Sequence, residues 1–215
     1  MRVIKLISIV IGFTHMSLLE DRLQNLSWPE KKKSLFSERK DWWNVARLKI
    51  RGEAEGFSIY SEGYRDAADK LVEYAKTDQT SIDSLIFPIL FLYRHYIELA
   101  LKEIILAATL YLGKQHKSIK SHNLTQLWQR VKELISEVEL DIPIDEMIAI
   151  ENQISQFDML DNSSETFRYP VDKQGNVFKK LSDYVNVENV REIVDGLHTW
   201  CFGLVCVLGE YEDAI

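Results

Sequence analysis

The sequence is poor in the residues that most small catalytic or metal-binding motifs require. Two of its 215 residues are cysteine, four are proline and nine are glycine. The cysteines, Cys201 and Cys206, lie five apart in one helical pattern and so point to different sides of that helix. They form neither a zinc pair nor a thioredoxin-type pair, and read as small buried apolar residues of a reducing compartment. So few Gly and Pro argue against the many turns of a β-sandwich. There is no Gly-rich phosphate loop, no H-E-x-x-H, no G-x-S-x-G and no metal-spaced Cys/His cluster. Neither a metal nor a cofactor is therefore expected. A formal net charge of −7 excludes an all-over nucleic-acid coat while leaving room for a local basic patch.

What is present is ordinary globular composition, 46% hydrophobic and 27% charged. The length fits one domain with an added arm, divided here as 1–50 and 51–215. Residues 1–13 (MRVIKLISIVIGF) have a basic start and an apolar run, as a secretion signal does, but lack a small-x-small cleavage site. The run is short of the ~20 residues that span a bilayer. It is expected to pack on the domain, or else Met16 is the physiological start. The location expected is the cytoplasm, with no membrane contact.

Between Trp28 and Arg51 stand eight Lys or Arg against three acids, with Trp28, Trp42 and Trp43 among them. Lys31, Lys32, Lys33, Trp42 and Trp43 suit RNA or phosphate contact, since cations meet phosphate and rings stack on bases. A helical arm with its rings packed and its cations in water accounts for the same pattern.

Beyond residue 53 the periodicity is helical. Phe57, Tyr60, Tyr64, Ala67, Ala68, Leu71 and Ala75 predict a helix over 53–76. Thr80 with Asp83 predicts a capping pair for the next, over 82–112, with Pro88 early in it and Gly113 ending it. Asn123 followed by Gln126 predicts the start of a helix over 124–138. Two more are expected over 145–161 and 187–211. Aromatic and β-branched residues flanking Gly175 predict a short β-hairpin between the last two. The fold class is all-α with a small β-hairpin insertion.

The longest apolar run carries one polar stripe: Arg94, His95, Glu98 and Lys102 fall within an arc of about 100°. An unpaired buried charge is very costly, and Arg94–Glu98 and Glu98–Lys102 are i,i+4 neighbours that pair locally. One reading is a buried ion network that fixes the register of the helix. The other is a polar groove in which His95 exchanges a proton and Arg94 and Lys102 meet phosphate.

The stretch 93–102 (YRHYIELALK) resembles the "RH-x-x-E-L-x-L-K" helix of HEPN-type proteins. Residues 122–128 (HNLTQLW) resemble the "H-(D/N)-L-x-x-L-W" start of their next helix. Residues 163–170 (SSETFRYP), with Asp172 and Gly175, resemble an "S-x-x-F-R-Y-P-x-D-x-x-G" segment of some HEPN-like bacterial proteins. The resemblance covers about 85–175. It implies an up-and-down helical bundle, commonly a homodimer, in toxin–antitoxin, phage-defence or RNA-processing systems. A cognate antitoxin or defence protein is then an expected partner. Many such domains are metal-independent endoribonucleases in which an Arg and a His with four to six residues between them serve the attack of the ribose 2′-OH on phosphate.

Arg191 and His198 satisfy that spacing, though composition alone gives about 0.7 such pairs by chance. Alternatively Arg94, His95, Glu98, His122 and Arg168 meet in one catalytic site. Three functions follow: a domain that binds or cleaves RNA; a non-catalytic dimerisation or protein-interaction module with a structural stripe; and a nucleotide or small-molecule pocket built on Arg94, His95, Lys102 and Arg168.

Overall fold

The computed structural model describes residues 29, 31, 32, 34, 42–161, 165–171, 174–177 and 183–210. The chain divides into two units, Met1–Leu48 and Lys49–Ile215. In the first, Trp42–Asn44 form a 3-10 turn, and Lys31, Lys32 and Trp43 are exposed. The run at 1–13, Lys33 and the Trp42 side chain lie outside the described residues.

The second unit is all-helical among its described residues: α1 (Glu53–Thr77), α2 (Ile82–Tyr111), α3 (Leu124–Val138), α4 (Ile144–Leu160) and α5 (Val187–Glu210). At 1.5 Å per residue α2 is ~45 Å long. It is the central element, in contact with α1, α3 and α5, while α4 packs on α3 and α1 touches α5. By length and composition α2 and α5 are both apolar enough to cross a bilayer; half of the most apolar stretch of α2 is buried in the domain, and about a quarter (28%) of that of α5.

Several helix ends have a local cause. Glu53 and Glu55 at the start of α1 and Lys76 in its last turn complement the helix dipole. The buried face of α1 runs through Ser61, Ala68, Val72 and Ala75, and Tyr60, expected on that face, is exposed. The expected Thr80–Asp83 cap is replaced by another arrangement. Asp78 Oδ1 accepts from the Thr80 amide at 3.2 Å and its hydroxyl at 2.6 Å, closing a 3-10 turn at Gln79–Ser81 before α2.

Gly113, at φ 63°, ends α2. Its N–H bonds the Leu110 carbonyl and the Lys114 N–H bonds that of Thr109, a Schellman pair. The same device ends α3, with Glu139 in the left-handed position at φ 61°. In α5 the buried residues Val187, Val194, Leu197, Cys201, Leu204 and Leu208 recur at three, four and seven, the stripe of a helix packed on one side. Where the hairpin is expected, an isolated antiparallel bridge joins Val171 to Val177.

Candidate functional site

Three of the four residues of the α2 polar stripe are buried. Arg94 is 0% exposed, Glu98 1% and Lys102 6%. The Arg94 guanidinium uses all three nitrogens: Nη1 donates to Glu98 Oε2 at 3.1 Å, Nε to the carbonyl of Asp161 at 2.8 Å and Nη2 to that of His122 at 2.7 Å. Glu98 Oε1 accepts from Lys102 Nζ and from His122 Nδ1, both at 2.8 Å. Burial works to raise the Glu98 pKa. The hydrogen bonds and charges of Lys102 and His122 outweigh it and hold the carboxyl below its usual range.

These bonds tie three elements together. His122 precedes α3 and Asp161 follows α4, so Arg94 gathers the start of one helix and the end of another onto α2. Asp161 extends the linkage. Its Oδ1 accepts from the amides of Glu165 at 2.8 Å and Thr166 at 3.1 Å, seating the Phe167-Arg168-Tyr169-Pro170 segment. Its Oδ2 is buried without a hydrogen bond, 3.7 Å from Arg94 Nε.

Sequence reasoning missed Asp161 and its neighbour Asp158. Asp158 accepts from the side-chain amide of Asn123, the Leu124 N–H and the Thr125 hydroxyl. Asn123 in turn accepts from the Gln126 N–H at 2.8 Å, as the predicted start of α3 requires. A signal was present: two acids at the C-terminal end of a helix, where the dipole disfavours negative charge, have to be held by something outside it.

His95 stands apart from these bonds. Its ring stacks on Phe91 (centroids 5.9 Å apart, 5° between planes) and meets Tyr64 edge-on at 4.4 Å. Burial holds its pKa below the ordinary histidine value, the nearby Glu98 only partly opposing this. Arg168 reaches the same aromatic row, its guanidinium 5.9 Å from the Phe91 centroid and 5.7 Å from that of Tyr169. It borders a 320 Å³ groove shared with Phe87, Phe167, Tyr169, Pro170 and Val177. The His122 imidazole, by contrast, is 66% exposed, so the network has one edge in water.

Two regions of the expected site are thus built around α2. Arg94, Glu98, Lys102 and His122 form the network, while His95 and Arg168 meet through Phe91. Arg191 and His198 are two turns apart on α5, ~10.5 Å along its axis. Arg191 is engaged with Glu73 and Asp195. His198 shares a 3.1 Å hydrogen bond with the Tyr96 hydroxyl and lies 3.6 Å from Glu62. Among the described residues no His/Cys/Asp/Glu group is arranged to hold a metal ion.

Comparison with known proteins gives no matching family model, no matching curated protein and no matching solved structure.

Proposed function

We propose that the chain is a HEPN-like helical domain that binds single-stranded RNA, in the cytoplasm and in a bacterial defence or toxin–antitoxin setting, through the groove beside Arg168. The observation that carries this reading is Arg168, its guanidinium over the Phe91 and Tyr169 rings, in a groove that it lines together with the exposed rings of Phe87 and Tyr169 and with Pro170. Exposed rings accept stacked bases at ~1–3 kcal/mol each, and a guanidinium is suited to the phosphate between them. The sequence adds Lys173, Lys179 and Lys180 in the same segment. In this reading Arg94, Glu98 and Lys102 are the clamp that holds the binding segment on α2. His122, exposed and oriented by a carboxylate, is the group that would move a proton if the RNA is cut.

Fluorescence anisotropy with a labelled single-stranded RNA tests this. Arg168→Ala and Tyr169→Ala should each weaken binding about tenfold. RNA that does not bind, or binds both variants as it binds the parent, overturns the reading. The same RNA incubated in EDTA with the parent and with His122→Ala separates binding from cleavage.

A second reading, a homodimerising module, draws on the exposed apolar residues Phe202 and Val207 of α5 and Ile59 and Tyr60 of α1. Sedimentation equilibrium decides it: a monomer at high concentration removes this reading and leaves the first untouched.

A further inference from the structure

On a face of α2 away from the Arg94 network, α1, α2 and α5 enclose a 240 Å³ pocket whose polar residues include Ser61, Glu62, Tyr96, Glu103 and His198. None of its lining residues is Lys or Arg. Its two carboxylates differ in how well they are served. Glu62 lies 3.3 Å from Arg65 Nη2 and 3.6 Å from His198 Nδ1. Glu103 receives only a share of the Ser61 hydroxyl, which is 3.5 Å from its Oε2 and 3.1 Å from the Ser58 carbonyl. Burial and the nearby charge of Glu62 both push the Glu103 carboxyl above its usual range, the Ser61 bond opposing them. Among the described residues, the pocket therefore holds an acid that lacks a cationic partner.

Aromatic side chains line the same pocket. His198 stacks on Phe202 with centroids 5.9 Å apart and lies 6.0 Å from the Tyr96 ring. A carboxylate with spare acceptor capacity beside ring faces is the environment that selects an organic cation, through an ion pair at one side and cation–π attraction at the other. The volume is below the ~300–1,000 Å³ of pockets for drug-sized ligands, so the molecule is small.

We propose that this pocket binds a small organic ammonium ion, its nitrogen on Glu103 and its apolar body against Phe202 and Tyr96. The site is independent of the RNA-binding groove, so either assignment can fail without the other.

Isothermal titration of the full chain with phenethylammonium, and with the neutral isostere 2-phenylethanol, tests it. The amine is expected to bind at ~1 mM or tighter and the alcohol at least about tenfold more weakly. Glu103→Gln keeps the shape and the Ser61 contact and should weaken the amine about tenfold with the melting temperature retained. Phe202 is 61% exposed, so Phe202→Ala should also fold and bind the amine more weakly. Equal affinity for amine and alcohol, no binding of either, or a folded Glu103→Gln protein that binds the amine as the parent does would each overturn the proposal.

Discussion

Arg94 reaches Asp161 across 67 positions of sequence, donating through Nε to its backbone carbonyl at 2.8 Å. The bond joins a fully buried cation to the point where the chain leaves α4. Asp161 then uses its own side chain to hold Glu165 and Thr166. One guanidinium is thus linked, through Asp161, to the turn that leads into Arg168.

Breaking this network should cost more than removing it whole. Glu98→Ala leaves Arg94 and Lys102 buried without their shared carboxylate and should destabilise the domain by ~3–5 kcal/mol. An Arg94→Met, Glu98→Leu, Lys102→Met, Asp161→Asn variant leaves no buried charge of these four and should lose less than Glu98→Ala alone. Urea unfolding followed by circular dichroism compares them. A single-variant cost below ~1 kcal/mol would place the pair in the range of surface ion pairs and remove the clamp.

Acid should weaken the fold by two routes of the same sign. Glu98 has a folded pKa below its unfolded value near 4.5, so its contribution is complete above 4.5 and is lost as pH falls through the lower folded value. His95 is held neutral below its ordinary 6.5; the unfolded chain binds that proton first, and stability falls as pH drops from 6.5. His95→Phe should therefore flatten the stability profile just below pH 6.5, and Glu98→Gln should flatten it only below 4.5. Melting temperatures from pH 7 to 3 read both; an unchanged slope below 6.5 in His95→Phe sinks the histidine assignment.

Glu139 occupies a left-handed position that glycine adopts freely. A side chain there costs roughly 1–2 kcal/mol, offset in part by the greater freedom of glycine in the unfolded chain. Glu139→Gly should raise stability by about 1 kcal/mol, and Glu139→Val should lower it. Thermal melts of the two variants should move in opposite directions.

The cysteines should differ in reactivity. Cys201 is buried, and burial pushes its thiol up to about 12, whereas Cys206 is exposed. Titration with a thiol-specific chromophore should count one fast group in the native protein and two after unfolding. Two fast groups in the native state would contradict the placement of Cys201 on the core face of α5.

The parts of this fold legible in sequence were those written in short-range spacing. The i,i+4 pairs of the stripe, the Asn123 start of α3 and the Gly113 stop of α2 are all decided within one turn of helix, and the structure has them. The spacing points Tyr60 inward, but a helical pattern does not say which of two adjacent residues, Tyr60 or Ser61, turns toward the neighbour; in the structure the smaller Ser61 is the buried one. The acceptors that satisfy Arg94 were illegible for a deeper reason. Apart from Glu98 they are backbone carbonyls, which every residue carries, so nothing in the letters at 122 or 161 marks them. Asp158 and Asp161 were visible as residues, but their partners lie in another helix and in the segment beyond.

The Arg94 bonds also set a schedule for the growing chain. Their acceptors lie 28 and 67 residues downstream. At ~5–20 residues per second of synthesis, the second is made roughly 3–13 seconds after the cation it must satisfy. Through that interval α1 and α2 exist with a cation that has only Glu98 of its three acceptors. The domain is therefore committed late, when α4 has left the ribosome, and any nascent chain cut short before Asp161 would carry its longest greasy helix unsealed.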